Sequence, residues 1–171
     1  MPITIQFATQ DDAALIADMS RQTFYDTFAK ENSKENMDKF MNEVFTREGL
    51  IAEVGAINNI FLLAYDNIEP VGYARLRENN NSPELKSNNA IEIARIYAST
   101  HSIGKGVGKA LMQKSIAIAV EKKVDWIWLG VWEKNYRAIE FYTKWGFEKF
   151  STHIFMLGND AQTDWLMKKS L

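Results

Sequence analysis

The sequence of 171 residues contains no cysteine. This absence excludes disulfide bonds, thiolate metal sites and a cysteine nucleophile, and it suits a reducing compartment, so we expect a cytoplasmic protein. Histidine is also scarce, since only His101 and His153 are present and they lie far apart in the chain. A histidine-rich metal site is therefore not expected, and we predict that the protein uses no metal ion.

A strong net charge and long apolar runs are also missing. The formal net charge is −2, which argues against a broad basic surface for nucleic acid. No apolar run approaches the roughly 18 residues that span a bilayer, and the start MPITIQFATQDD does not resemble a secretion signal. Hydrophobic residues make up 46% of the chain, enough for the core of one domain over residues 1–171.

Hydrophobic periodicity predicts seven strands and four or five helices, in the order β-αα(α)-βββ-α-β-α-ββ. Asn32 and Ser33 are typical caps for the second helix, which buries Met37, Phe40, Met41 and Val44. Thr46 can open a third, short helix. The strands are predicted over 3–7, 60–66, 71–78, 90–99, 124–132, 147–157 and 161–171, and the last two helices over 105–122 and 135–146.

The stretch STHSIGKGVGKALM connects the fourth strand to a helix and contains Gly104, Gly106 and Gly108. The first amide groups of a helix lack intrahelical partners and attract anions, and glycine lets a phosphate come close because it has no Cβ. Two lysines in the stretch add positive charge. The pattern therefore indicates a phosphate site, although a flexible turn with a helix cap would explain the glycines equally well.

Two common phosphate motifs do not fit this stretch. A P-loop requires Ser or Thr after Gly-Lys, but Ala110 follows Lys109. A dinucleotide-binding fingerprint requires a third glycine at the position of Lys109, and it belongs after the first strand of an α/β series. Neither a P-loop nor a dinucleotide-binding site is therefore expected here.

The stretch resembles the phosphate loop of the GNAT acyltransferases, (Gln/Arg)-x-x-Gly-x-(Gly/Ala). The window from Ile103 to Gly108 matches both glycine positions, and Ile103 replaces the Gln or Arg. The resemblance implies a single α/β (α+β) domain with acetyl-CoA as co-substrate, and a mixed sheet of about seven strands, splayed between the fourth and fifth, with helices on both faces. The backbone positions that it assigns to the cofactor are Ile96, Tyr97 and Ala98 of a bulged fourth strand, and Gly104, Lys105, Gly106, Val107, Gly108 and Lys109 of the loop.

The same resemblance implies roles in the chemistry. Tyr142 would protonate the leaving sulfur, and Asn135 would contact the pantetheine arm; from the residues alone, they could equally be a core aromatic and a helix N-cap. Glu92 is the candidate base, acting directly or through water, because it alternates with Ile91 and Ile93 and can face the cleft. A solvent-facing carboxylate fits that alternation equally well.

Three blocks, FYDTFAKENSKENM (24–37), WLGVWEKN (128–135) and AQTDWLMKKSL (161–171), resemble the bacterial polyamine N-acetyltransferases of the PaiA type. This resemblance implies a spermidine- or spermine-like acceptor, which carboxylates would attract. The residues expected at the acceptor site are Asp26, Glu31 and Trp132.

Three alternatives remain open from the sequence. The acceptor could be a protein N-terminus, a lysine, an amino sugar or an antibiotic amine, since function resides in the site and not in the fold. The protein could also be a non-catalytic acyl-CoA-binding regulator. A homodimer could form through a C-terminal strand that carries Trp165 and Leu166.

Overall fold

The structure is a computed structural model that describes residues 2–171. All seven predicted strands are present and form one sheet in the order β1-β2-β3-β4-β5-β7-β6. Their bounds are β1 Ile3–Phe7, β2 Asn59–Asp66, β3 Glu69–Glu78, β4 Ala90–Ala98, β5 Trp126–Trp132, β6 Glu148–Leu157 and β7 Asp160–Ser170.

Neighbouring strands of the sheet are antiparallel except β4 and β5, which are parallel. Their pairing begins at Ala90 opposite Trp126 and ends at Ile93 opposite Leu129. Beyond this point β4 continues for five residues and β5 for three without pairing to each other. The predicted splay between the fourth and fifth strands is therefore confirmed.

Helices cover both faces of the sheet. Leu62 and Ala74 pack with the fourth and fifth helices on one face, whereas Phe61 and Tyr73 pack with the first and third helices on the other. Adjacent strand residues point to opposite faces, so these two clusters lie on either side of the sheet. The helices are α1 Ala13–Phe28, α2 Lys34–Glu43, α3 Arg47–Glu53, α4 Val107–Glu121 and α5 Tyr136–Lys144.

Local chemistry sets the helix starts. Ser33 accepts a hydrogen bond from the Asn36 amide at 3.1 Å, and Thr46 accepts one from the Gly49 amide at 3.1 Å, so each caps its helix as predicted. The prediction that Val44 is buried is wrong. α2 ends at Glu43, and Val44 at its C-cap is 68% exposed.

The C-terminal strand offers no free edge for a partner, because β7 lies between β5 and β6. Leu166 is 2% exposed and belongs to the core, so the expectation that it joins a dimer interface is wrong. Trp165 is half-buried beneath the Lys149 ammonium, 4.4 Å from the ring centre. The outer strands of the sheet are β1 and β6.

Candidate active site

A cavity of about 590 Å³ opens where β4 and β5 diverge. Residues 92–98 of β4 and Gly130–Trp132 of β5 form two of its walls, and α5 contributes Tyr142. Phe24, Thr27 and Phe28 of α1 close another side. We call this space the splay cavity.

The backbone of β4 is irregular beside the splay cavity. Arg75 of β3 is opposite Arg95 while Leu76 is opposite Ile93, so Ala94 has no partner and forms the predicted bulge. The Ser99 amide donates a hydrogen bond to the Val71 carbonyl of β3 at 2.8 Å, and hydrogen-bonded pairs of an antiparallel ladder alternate, so Tyr97 opposite Tyr73 is also such a pair. The amides of Ile96 and Ala98 therefore point away from β3, toward the space that β5 has left.

The glycine stretch reaches the start of α4 in a conformation that suits anions. Gly104 and Gly106 have φ angles of +84° and +89°, which L side chains rarely adopt. A Cβ at either position would meet no protein atom within 4 Å. Gly108 has ordinary backbone and lies over the Phe141 ring, where a Cβ would be 3.5 Å from Cζ. The first two glycines are thus required by the backbone path, and the space beside them is open to a ligand.

Flanking residues of the loop have distinct environments. Val107 is 1% exposed and packs in the core, so only its backbone could face a ligand, whereas the side chains of Lys105 and Lys109 lie on the surface. Ile103 is 41% exposed and lines the splay cavity. Asn135 also lines it, and its Oδ1 accepts a hydrogen bond from the Ala138 amide at 3.3 Å, which makes it the N-cap of α5.

Tyr142 is 8% exposed and packs between Phe141 and Phe147, yet it borders the splay cavity. Burial raises the pKa of the Tyr142 phenol above its usual range. The pKa of Tyr97 is also raised, by burial and then by the neighbouring phenols and the Asp164 carboxylate. Both phenols therefore keep their protons at neutral pH.

Glu92 is 8% exposed and lines the splay cavity, so of the two orientations that the sequence allowed it adopts the inward one. Its Oε1 accepts a hydrogen bond from Arg77 Nε at 2.5 Å and another from Asn80 Nδ2 at 3.0 Å. The Arg77 guanidinium thus compensates the charge of this carboxylate within the protein.

An arginine cluster that the sequence analysis did not identify lies next to Glu92. Arg95 donates two hydrogen bonds to Glu53, at 2.6 and 3.0 Å, and the Arg75 guanidinium is 3.4 Å from the same carboxylate. All three side chains are no more than 25% exposed and line the splay cavity. Burial and the Arg95 charge lower the pKa of Arg75 to about 10. With Arg77 and Glu92, this wall holds three guanidiniums and two carboxylates.

Asp164 of β7 is a second group that the sequence analysis did not identify. It lies opposite Trp132 of β5 and opposite His153 of β6, and its carboxylate borders the splay cavity with 16% of the side chain exposed. His153 Nε2 is 3.4 Å from Asp164 Oδ2. Burial raises the pKa of Asp164 to about 6, although the His153 charge opposes this shift. A period-two pattern places Asp164 on the face of Gln162 and Leu166, which was the available signal.

The three predicted acceptor residues differ in position. Trp132 lines the splay cavity and packs against Phe28 with the ring centres 6.1 Å apart. Asp26 and Glu31 are exposed, and neither is among the lining residues. Asp26 instead accepts a hydrogen bond from Thr100 Oγ1 at 3.0 Å. At 3.6 residues per turn, the α1 face that carries Phe24, Thr27 and Phe28 into the cavity turns Asp26 away from it.

Residues 2–171 lack two further features. No cluster of three or more His, Asp or Glu side chains in this range could hold a metal ion. In the same range, no helix combines the length and apolar character needed to cross a membrane.

Comparisons with known proteins agree with this geometry. Residues 21–147 match the model of the acetyltransferase (GNAT) family. An uncharacterized N-acetyltransferase in the pepI 3′ region of Lactobacillus delbrueckii subsp. lactis is 38% identical, over 98% of this chain and 96% of the relative. A spermidine N(1)-acetyltransferase of Thermoplasma acidophilum is 24% identical, over 86% of this chain and 89% of that protein.

The fold also matches a known crystal structure. The PaiA N-acetyltransferase of Thermoplasma acidophilum in complex with coenzyme A superposes over the whole of both chains, with a TM-score of 0.80 and 22% identity. The family match covers most of the chain, and the Lactobacillus relative covers nearly all of it. The chain therefore belongs to the GNAT family and is an N-acetyltransferase of that family.

Proposed function

We propose that the protein transfers an acetyl group from acetyl-CoA to a primary amine by direct attack on the thioester. The observation that carries this proposal is the opening between β4 and β5. Its cavity is lined by the β4 residues with unpaired amides, by Tyr142, and by Ile103 and Gly108, which flank the positive-φ glycines of the loop. The loop amides from Gly104 to Lys109 would bind the pyrophosphate, and Asn135 would contact the pantetheine arm.

The chemistry follows from groups beside the splay cavity. The amides of Ile96 and Ala98 would stabilise the oxyanion as the amine nitrogen bonds to the thioester carbon. The C–S bond then breaks, and Tyr142 donates its proton to the departing sulfur. The proton lost by the new amide nitrogen restores the phenol. The sequence predicts Glu92 as the base that first deprotonates the ammonium, directly or through water; Glu53 and Asp164 are the other carboxylates that line the cavity.

A polyamine is the first acceptor class that we propose. The support comes from the likeness to the Thermoplasma protein named for spermidine, and from Asp164 and Trp132, which offer a carboxylate and an aromatic face to a cation inside the splay cavity. Asp26 and Glu31 lie outside this space, so we assign them no part in acceptor binding.

The arginine cluster favours a second acceptor class, an amine that also carries an acidic group. Arg75, Arg77 and Arg95 face the splay cavity with only Glu53 and Glu92 to balance them. A partly buried guanidinium in excess is stabilised by a further anion, and arginine binds carboxylate and phosphate well. An acceptor carboxylate would supply the missing negative charge.

A thiol-release assay tests the function and separates the two acceptor classes. The chain has no cysteine, so a thiol reagent reports only coenzyme A set free from acetyl-CoA. Spermidine, putrescine, cadaverine and lysine form a matched panel, since lysine is cadaverine with an added carboxylate. Faster turnover of cadaverine than lysine supports the polyamine class, and the reverse order supports the acidic amines. Acetyl-CoA binding without thiol release on any amine would contradict the enzymatic function.

Tyr142→Phe is the matching test of the acid. We expect a fall in kcat of about 10²- to 10⁴-fold with coenzyme A affinity little changed. Tyr136→Phe is the control, because Tyr136 lies on the same helix but is 73% exposed. Equal rates in the two variants would remove Tyr142 from the mechanism.

The cytoplasmic location and the homodimer, both expected from the sequence, remain predictions.

A further inference from the structure

We propose that Asp164, and not Glu92, receives the proton from the acceptor ammonium, and that His153 passes this proton to solvent. The inference rests on the N-acetyl transfer proposed above and names a catalytic residue for it. Three carboxylates line the splay cavity, and they are Glu53, Glu92 and Asp164.

Only one of these carboxylates has no guanidinium or ammonium partner within residues 2–171. Glu53 is bound by Arg75 and Arg95, and Glu92 by Arg77. Asp164 has only the His153 imidazole, 3.4 Å away. An ammonium entering the cavity would thus find at Asp164 a half-buried negative charge that no fixed cation compensates, which favours binding and proton transfer there.

The position of Asp164 also fits the reaction. Its Oδ2 would be 3.8 Å from a Cβ built on Gly130, so the carboxylate lies over the part of β5 that has left β4. The absence of a side chain at Gly130 keeps this part of the wall open. Asp164 and Tyr142 border one cavity, so an amine beside Asp164 and a sulfur beside Tyr142 can occupy the same space.

The groups around Asp164 determine when it can accept a proton. β6 presents His153, β4 presents Tyr97 and α5 presents Tyr142 to the same region, while β5 presents Gly130 and the non-ionisable Trp132. Other charged groups that line the cavity are Glu53, Arg75, Arg77, Glu92, Arg95 and Arg137. The raised pKa of Asp164, about 6, suits a base that works near neutral pH.

The proton inventory balances with these residues. The ammonium R–NH₃⁺ gives one proton to the Asp164 carboxylate, and the neutral amine attacks the thioester. Tyr142 protonates the thiolate, and the second proton, which leaves the nitrogen after the C–N bond forms, restores the Tyr142 phenol. Asp164 then returns to the carboxylate by passing its proton to His153, whose side chain is 44% exposed and reaches solvent.

Asp164→Asn tests the assignment, with Glu92→Gln as the matched loss of the other carboxylate. We expect kcat/KM of Asp164→Asn at pH 7.5 to fall by about 10²- to 10⁴-fold. The loss should shrink about tenfold for each unit of rising pH, because the neutral fraction of an acceptor with a pKa near 10 grows by that factor. Coenzyme A affinity, measured by calorimetry, should stay near the wild-type value.

The pH dependence of kcat/KM distinguishes a proton acceptor from a residue with a purely structural role, because a structural role of Asp164 would leave this dependence unchanged. In the wild type, kcat/KM should decline below about pH 6, where Asp164 becomes protonated. His153→Gln should move this limb to higher pH, because the imidazolium charge favours the ionised carboxylate. Asp164→Asn should show no break near pH 6, and its kcat/KM should instead rise steadily with pH as the neutral amine fraction grows. Glu92→Gln should retain the break.

Two outcomes would overturn the inference. One is an Asp164→Asn enzyme with wild-type kcat/KM and an unchanged acid limb; the other is a limb that disappears in Glu92→Gln instead. In either case the wild type still releases thiol, so the proposed function stands. Wild-type protein that acetylates no amine would contradict the function itself, which keeps the two failures distinct.

Discussion

Asp164 should destabilise the fold at neutral pH, and removing its charge should therefore stabilise the protein. Its pKa rises from an ordinary 3.8 to about 6 on folding because burial penalises the charged form. A carboxyl with a raised folded pKa carries no penalty below its unfolded pKa, where both states are protonated. The penalty grows as the pH rises toward 6 and is complete above it. The rise of the pKa from 3.8 to about 6, at about 1.36 kcal/mol for each pKa unit, corresponds to at most about 3 kcal/mol.

Asp164→Asn should remove this cost while keeping the side-chain shape. We expect the free energy of unfolding at pH 8 to increase by up to about 3 kcal/mol, and Tm to rise by about 6–12 °C for a chain of this length. Near pH 4 the two proteins should have almost the same stability, since Asp164 is then largely protonated in the wild type. Urea denaturation at several pH values between 4 and 8 measures the difference directly.

Glu92→Gln is the control with the opposite sign. It takes the charge from a carboxylate that Arg77 and Asn80 already bind, so it should destabilise the fold at pH 8 by about 1–3 kcal/mol. If Asp164→Asn were no more stable than the wild type at pH 8, the buried charge would carry no penalty. The argument for Asp164 as an uncompensated base would then fail.

Three further perturbations test other parts of the site. Gly106→Ala should strain the backbone by about 1–2 kcal/mol. It should also weaken coenzyme A binding by about 10- to 150-fold, which corresponds to the loss of one hydrogen bond from a backbone amide to a charged phosphate. Gly146→Ala is the control, because Gly146 has almost the same φ as Gly106 (+90° against +89°) and a Cβ there meets only the Lys169 ammonium. It should lose similar stability without losing affinity for coenzyme A. Equal calorimetric affinities of the two variants for coenzyme A would refute the loop assignment. Asn135→Ala should cost about 1 kcal/mol of stability through the lost N-cap and also raise the KM for acetyl-CoA; a normal KM would leave only the cap. Glu53→Gln should destabilise the protein by about 3–5 kcal/mol because two half-buried guanidiniums lose their shared partner, and chemical denaturation showing less than 1 kcal/mol would contradict this.

The sequence predicted the elements because hydrophobic period and caps are local signals. Ser33 and Asn135 cap their helices by accepting hydrogen bonds from free backbone amides of the first turn, and a few neighbouring residues are enough to predict such a cap. The prediction that Val44 is buried was wrong for a local reason as well. The helical period continues through it, but α2 ends one residue earlier, so Val44 leaves the stripe and borders the splay cavity.

The cavity wall was less predictable because it joins residues distant in sequence. Asp26 and Glu31 were chosen for their charge. α1 turns its side chains by about 100° per residue, so the face of Phe24 and Phe28 enters the cavity and Asp26 does not, and Glu31 lies in the 3-10 turn after the helix has ended. The period-two pattern marks Asp164 as inward-facing but does not show which site it faces. Its position depends on β7 inserting between β5 and β6, a pairing over more than thirty positions of sequence that no short motif records.

The contrast between Glu92 and Asp164 explains why one site needs two kinds of carboxylate. A base must attract a proton at neutral pH and release it afterwards, which requires a charge that its surroundings do not already neutralise. Arg77 gives Glu92 a fixed partner, so that carboxylate contributes to the wall at the bulged strand. Asp164 is half-buried beside a single exposed imidazole, and the cost of its charge is relieved when an ammonium arrives. Different environments thus give the two carboxylates different roles, with Asp164 as the proton acceptor and Glu92 as part of a structural ion pair. A Glu92→Gln, Asp164→Asn double variant should therefore show the pH profile of Asp164→Asn alone, because Asp164 is the carboxylate that accepts the proton of the acceptor ammonium.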